Sequence, residues 1–281
     1  MVKSAHTAAE KAEISLTQIS AIGLGAPGIS NPEIGVVYRS PNLPDWHRVP
    51  LRDIVAKRLD KKVFLINDAN AAALGEMEYG AVRGCRNFIY ITISTGIGGG
   101  IIIDGKLYNG ANGMAGEIGH MTVEPDGLPC NCGGSGCWEL YASGSAIARR
   151  AREQIKSGKK TQLLELAGGD LNMIDAPLIE KAAKQKDALA RKLIAETARY
   201  LGIGFGSLIN IFNPELIVIG GGLSKMGDLL LKPAIREAGK RSYHDIFKTV
   251  RFVTAELGDN SGVLGAAVYA RSELKKLVKS T

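Results

Sequence analysis

Residues 63–80 read VFLINDANAAALGEMEYG. Four apolar residues, 63–66, three of them β-branched or aromatic, make a short buried strand. Asn67 and Asp68 supply the side-chain oxygens that cap a helix, an alanine-rich stretch follows over 69–79, and Gly80 ends it. A strand that feeds straight into a capped helix is the building unit of α/β proteins.

The same alternation continues in both directions. Residues 4–18 read as one helix and 19–24 as a short strand. Residues 26–50 carry Pro27, Pro32, Pro41, Pro44 and Pro50 and read as turns and extended pieces. A helix is expected over 51–59. Segment 82–87 is polar and hinge-like, 88–94 is a buried strand, and 99–103 with Asp104-Gly105 and 106–108 make a hairpin. Helices across 140–157, 175–184 and 187–212 lead to the strand 216–219. A helix near 226–239, a strand at 251–255 and a closing helix from about 262 to 279 complete an α/β chain of two lobes. The expected lobes are residues 1–85 joined by 263–281, and residues 86–262.

Composition excludes several classes. The 281 residues are 45% hydrophobic and only 6% aromatic. No apolar run reaches the ~20 residues of a membrane span, and the N-terminus lacks the apolar segment of a secretory signal. The 35 basic and 28 acidic residues leave a charge of +7. The basic residues, Arg149, Arg150, Arg152, Lys156, Lys159 and Lys160 among them, are scattered and not interleaved with aromatics. A surface that welcomes small anions is favoured over a nucleic-acid partner.

Three of the four cysteines lie within eight residues, in GEIGHMTVEPDGLPCNCGGSGCWE at 116–139. His120, Cys130, Cys132 and Cys137 offer one imidazole and three thiolates, a closed tetrahedral set suited to structural zinc. Reduced cysteines or a disulfide is the alternative, but Cys130 and Cys132 flank one residue and bridge poorly. A thiol-rich loop with one further cysteine, Cys85, fits a reducing, cytoplasmic compartment.

Three glycine clusters and three acids remain. Gly23, Gly25 and Gly28 match G-x-G-x-x-G, but Pro27 and the residues after it cannot open the helix that a dinucleotide requires. Ser94 to Gly100 reads as a tight turn between apolar strands whose bare N–H groups and Thr95 hydroxyl could cradle phosphate, or simply turn the chain. Gly220, Gly221 and Gly222 end a strand, where α/β sheets place ligands, or pack a helix. Asp68 is either a helix cap or a general base. Glu117 and Glu139 are either solvated or grip neutral hydroxyls through charge-assisted hydrogen bonds. His120 could ligate metal through one nitrogen and donate to a hydroxyl through the other.

Taken together, GLGAPGISN (23–31), NDANAAALGE (67–76), STGIGGG (94–100), GEIGH (116–120), CNCGGSGCWE (130–139), NPELIVIGGG (213–222) and ELGDNSGVLGAA (256–267) resemble the ROK family of sugar kinases and sugar-responsive repressors, most closely its bacterial glucokinases. The resemblance implies a two-lobed actin/hexokinase-like, ribonuclease H-like fold. It implies that Asp68 takes a proton from a sugar hydroxyl for attack on the γ-phosphate of Mg-ATP, with Mg²⁺ accompanying the nucleotide. Asn67, Glu117, His120 and Glu139 would hold a hexose, most like glucose. N-acetylmannosamine, N-acetylglucosamine and fructose are the alternatives. Thr95, Gly96 and Gly98 would meet phosphates, and Gly220, Gly221 and Gly222 the adenosine. Zn²⁺ on His120, Cys130, Cys132 and Cys137 would stiffen the loop. A homo-oligomer, a dimer, is expected.

One departure stands out. Kinases of the family begin with a strand bearing D-x-G-G-T and two further strands. The nearest string here, Asp259-Asn-Ser-Gly262, belongs to the C-terminal motif. The N-terminal lobe is therefore expected to be incomplete, through a mis-assigned start or a fragmentary gene, and phosphoryl transfer to be impaired. A sugar-binding regulator is the competing class, although residues 1–20 hold one helix rather than a helix-turn-helix reader.

Overall fold

The computed structural model describes residues 1–40 and 43–279. The extended piece expected around Pro41 lies outside them. Helix α1 (Val2–Lys11) stops well short of the expected residue 18. Glu13 takes a φ of 55°, and Ser15 opens a separate 3₁₀ turn, Leu16–Gln18, through a capping box with Gln18. A serine that accepts from the N–H groups ahead of it starts a helix and does not continue one. The first strand, β1 (Ala21–Ala26), is displaced by two residues from the expected span.

The proline-studded stretch is more ordered than its composition suggests. Strands β2 (Ile29–Asn31), β3 (Val36–Ser40) and β4 (Leu43–Val49) form an antiparallel three-stranded sheet. The Asn31 side chain turns the chain between β2 and β3 by accepting from the N–H groups of Glu33 and Ile34. Helix α2 (Leu51–Leu59), strand β5 (Lys62–Asn67) and helix α3 (Asp68–Tyr79) follow as expected. Strands β1 and β5 pair in parallel, from Ala21 opposite Lys62 to Ala26 opposite Asn67. Leu24, Ala26, Val37, Leu51, Val55, Leu59, Val63 and Leu65 form their common core.

Strand β6 (Phe88–Ile93) is almost wholly buried, and β7 (Ile97–Ile103) and β8 (Lys106–Leu107) make the hairpin. Asp104 and Gly105 both take positive φ, 51° and 74°, as a two-residue hairpin turn demands. Because β7 starts at Ile97, Gly98, Gly99 and Gly100 lie in a strand, and only Ser94-Thr95-Gly96 forms the turn expected over seven residues. Gly100 passes so close to α3 that a Cβ would stand 2.6 Å from the Ala73 Cβ.

Helices α4 (Glu139–Ala142) and α5 (Gly144–Lys156) replace the single helix expected over 140–157. The break falls at Ser143, whose side chain caps α5 by accepting from the Ala146 N–H. Helices α6 (Leu163–Leu166), α7 (Ala176–Lys184) and α8 (Ala188–Phe212) lead to β9 (Leu216–Gly220). Helices α9 (Asp228–Gly239) and α10 (His244–Thr249), strand β10 (Arg251–Thr254) and helix α11 (Ser261–Lys279) finish the chain. Strand β9 lies between β6 and β10, parallel to both.

The chain divides into two compact units. The first comprises Met1–Arg86, Gly100–Gly116 and the residues from Ala255 onward; the second comprises Asn87–Gly99 and Glu117–Thr254. Residues 100–116, placed by sequence in the large lobe, pack in the first unit, where Gly113 lies against Pro32 as Gly100 does against α3. Helix α11 crosses α3 at paired glycines. A Cβ on Gly75 would collide with the Ser261 carbonyl, and one on Gly265 with the Ala71 carbonyl. Among the described residues no helix is long and apolar enough to cross a membrane.

Candidate functional site

In the second unit, residues 117–139 form an irregular loop shaped by glycines and a buried tryptophan. Glu117 opens a 3₁₀ turn, Ile118–His120, with Gly119 pressed on the Ile97 carbonyl. The Cys130 N–H donates to the Gly134 carbonyl at 2.8 Å, and the Gly133 N–H returns to the Cys130 carbonyl at 3.0 Å. Gly133 allows this turn with a φ of 99°. Trp138 is wholly buried. Its indole N–H donates to the Tyr200 carbonyl at 2.7 Å, and its ring meets Phe205 edge-on at 5.8 Å. That anchor fixes Cys137 on one side of it and Glu139 on the other.

The loop brings all four expected ligands together. Nδ1 of His120 is 3.7 Å from Sγ of Cys130, Sγ of Cys132 is 3.6 Å from Sγ of Cys137, and the four ligand atoms lie within 4.8 Å of one another. A tetrahedron with metal–sulfur bonds of about 2.3 Å has edges of about 3.8 Å, so the spacing suits a cation at the centre. All three cysteines are free of disulfide bonds.

The thiols themselves call for a cation. Burial and the neighbouring sulfurs push Cys137 up to about 12, burial raises Cys130, and the Gly134 N–H lowers Cys132. Three thiolates so close repel one another, and a divalent ion reverses that penalty. The donor set fits the zinc that the sequence implies.

The two acids flank the same imidazole. Oε1 of Glu139 lies 3.7 Å from Nδ1 of His120, and Oε2 of Glu117 lies 4.0 Å from Nε2. Both carboxylates are partly exposed. Beneath them runs a layer that sequence reading missed. The Leu128 N–H donates to the Tyr141 hydroxyl at 2.7 Å, and the Tyr200 hydroxyl donates to Glu124 at 3.2 Å. The two tyrosine rings lie 4.8 Å apart. Arg149 and Arg150 donate to the Leu140 and Tyr141 carbonyls, and Arg152 to the Ile174 carbonyl. The arginines read as solvated charge therefore serve as internal ties. The aromatic residues after the last cysteine were the available signal, since buried tyrosines and tryptophans seek a polar partner.

The glycine clusters at 94–100 and 220–222 meet at one end of the sheet. Thr92 of β6 stands opposite Gly220 of β9, so Ser94-Thr95-Gly96 and Gly221-Gly222 leave neighbouring parallel strands at their carboxyl ends, where such sheets bind ligands. Gly221 has a φ of 85°, and a Cβ on it would collide with the Ile93 carbonyl. The Gly144 N–H, first in α5, donates to the Ser94 carbonyl at 2.7 Å. Thr95 is exposed, Gly96 and Gly98 are half-buried, and Gly98 belongs to β7 and not to the turn.

Asn67 and Asp68 lie in the first unit, where β5 becomes α3. The capping is done by Asn67, whose Oδ1 accepts from the N–H groups of Ala69 at 2.9 Å and Asn70 at 3.1 Å. Its Nδ2 donates to the Gly28 carbonyl at 3.3 Å. Asp68 is the first helical residue, and Oδ1 takes a 2.8 Å bond from the Ala69 N–H. Although the residue reaches solvent, protein crowding its carboxyl raises its pKa above the ordinary aspartate value, against the lowering effect of backbone N–H groups.

Comparison with known proteins bears on both sets of residues. The profile of the ROK family matches residues 1–273. The glucokinase of Thermotoga maritima is 42% identical over 253 residues, covering 90% of this chain and 80% of its own length. The xylose repressor of Caldicellulosiruptor bescii is 38% identical over 256 residues, 91% of this chain and 63% of the repressor. The crystal structure of a ROK family glucokinase from Streptomyces griseus in complex with glucose and AMPPNP superposes with a TM-score of 0.84 at 38% identity, covering 96% of this chain and 87% of that one.

Proposed function

The chain belongs to the ROK family, and on that premise we propose that it is an ATP-dependent hexose kinase that converts glucose to glucose 6-phosphate. The observation that carries this reading is the division of labour between Asn67 and Asp68. Asn67 caps α3 with two hydrogen bonds, so Asp68 is not needed as a cap. A carboxylate with a raised pKa at a strand end suits a general base, whose efficiency grows as its pKa approaches the working pH.

In this reading Asp68 accepts the proton of the sugar 6-hydroxyl as that oxygen bonds to the γ-phosphorus and the bond to the ADP oxygen breaks. Asn67, Glu117, His120 and Glu139 hold the sugar. Thr95, Gly96 and Gly98 face the phosphates, and Gly220, Gly221 and Gly222 face the adenosine of Mg-ATP. His120, Cys130, Cys132 and Cys137 hold zinc, which when bound supplies rigidity to the loop that carries the two acids.

A coupled assay of ADP release with glucose tests the reading, beside N-acetylmannosamine, N-acetylglucosamine and fructose. Turnover with glucose that Asp68→Asn abolishes supports it. Preference for another of these sugars reassigns the substrate. The likeness to the xylose repressor motivates a second reading, a sugar-binding regulator. Sugar binding with no ADP release from any of the four would favour that reading.

A further inference from the structure

The short helix that begins with Glu139 cannot hold itself. Helix α4 has four residues, far fewer than a helix needs to stand alone. Both of its ends are instead fixed to one side of α8. Just ahead of it, the Trp138 indole N–H donates to the Tyr200 carbonyl at 2.7 Å, and the ring lies so near α8 that a Cβ on Gly204 would collide with it. Towards its other end, Arg150 of α5 donates from Nη1 to the Tyr141 carbonyl and from Nη2 to Oγ1 of Thr197, each at 2.6 Å. Thr197 is wholly buried and donates in turn to the Leu193 carbonyl at 2.8 Å. Three residues apart on one helix, Thr197 and Tyr200 share a face.

The link through Arg150 carries a cost. Its guanidinium is partly buried, both bonded acceptors are neutral, and among the described residues its buried Nε has no hydrogen-bond partner. Buried cations are normally paired with an acid, so this one is better explained by what it holds in place. That is the turn presenting Glu139, whose Oε2 would stand 2.7 Å from a Cβ on Gly96. The acid read as a sugar ligand thus lies directly against the turn read as a phosphate ligand.

We propose that Arg150 is a positioning residue for the sugar. By fastening the end of α4 to α8, it sets where the Glu139 carboxylate lies beside Gly96. This rests on the reading above that Glu139 grips a hexose.

The experiment is calorimetry of the zinc-loaded chain with glucose and, separately, with AMPPNP, on the wild type and on Arg150→Met, Arg150→Lys and Arg152→Met. Methionine keeps much of the apolar stem and removes every donor. Arg152 lies on the same helix but donates to the Ile174 carbonyl, and it serves as the control. Arg150→Met should weaken glucose by about 10- to 100-fold, the worth of the charged hydrogen bond that a displaced Glu139 would lose. Its zinc content and its affinity for AMPPNP should stay unchanged, because the Ser94 carbonyl is held by the Gly144 N–H and not by Arg150. Lysine keeps the charge but cannot span both acceptors, so Arg150→Lys should recover only part of the loss. Arg152→Met should bind glucose as the wild type does. Undiminished glucose binding in Arg150→Met overturns the proposal, as does an equal loss with AMPPNP or in Arg152→Met, which would mark general loosening. If Arg150→Met does not fold, Thr197→Val decides, since it frees the same guanidinium from α8 and keeps the shape of the side chain. Weaker glucose binding is expected there, and unchanged binding overturns the proposal. Variants that match a glucose-binding wild type sink only the positioning role. A wild type that binds no hexose sinks the sugar-site reading with it.

Discussion

The corner at Asn67 and the loop at 117–139 are built in opposite ways. At the corner, six residues of strand run directly into twelve of helix, and the hydrogen bonds that hold Asp68 come from the backbone immediately after it. The loop has almost no regular structure. Its ligands are held by isolated bridges such as Thr122 with Cys137 and Pro129 with Ser135, by glycines at positive φ, and by one buried tryptophan. Local chain chemistry preorganises the first, whereas the second calls for a cation to hold like-charged sulfurs together. Substitutions should therefore change chemistry at the corner and order in the loop.

The sharpest test of that contrast is Asp68→Asn. The amide still accepts from the Ala69 N–H but cannot take a proton. ADP release should fall by about 10²- to 10⁴-fold, the usual contribution of a general base, with glucose binding retained in calorimetry. The sign of the stability change is informative too. A carboxyl whose pKa is raised by folding stabilises the fold only while protonated, and that contribution is lost as pH rises through its folded value. At neutral pH Asp68→Asn should thus raise the melting temperature slightly. For the same reason the acid limb of the wild-type rate profile should lie above the ordinary aspartate range. A limb at or below that range would leave Asp68 an ordinary surface acid.

In the loop, Cys132→Ala should remove the metal altogether. Elemental analysis should find about one zinc per wild-type chain and none in the variant. Hydrogen exchange should rise across 117–139 and remain unchanged at 67–76. Exchange that rises equally in both regions would erase the distinction. A smaller effect is expected from Glu139→Ala, which should weaken glucose binding by about 1.5–3 kcal/mol, the scale of a hydrogen bond to a charged group. The least is expected from Asn67→Ala, about 1 kcal/mol of stability from a lost helix cap, read from denaturant melts with the zinc content unaltered.

The corner was legible in the sequence for the reason that makes it rigid, since its strand, cap and helix are specified by adjacent residues. The four-ligand set was equally plain, because few chemistries need one histidine and three cysteines so near one another. Features set by distant packing were not legible. Nothing local shows that β7 begins at Ile97, since Gly98, Gly99 and Gly100 look like turn residues, and only the packing of Gly100 against α3 shows why the last of them lacks a side chain. The sheet of β2, β3 and β4 was hidden by its prolines, of which Pro27, Pro32 and Pro50 flank its strands, Pro44 is the second residue of β4, and Pro41 lies outside the described residues. Ser143 was overlooked as a cap because the helical pattern on both sides of it is continuous.

Trp138 carries a consequence of another kind. The chain has two tryptophans, and they fall in different units, Trp46 in the first and Trp138 in the second. Trp138 is wholly buried and bonded covalently to the residue that bears one of the sulfurs. Its emission is therefore shielded from solvent quenchers and sensitive to whether that sulfur is a thiol or a bound thiolate. With Trp46→Phe as background, the protein becomes its own optical sensor of metal loading, with no label attached.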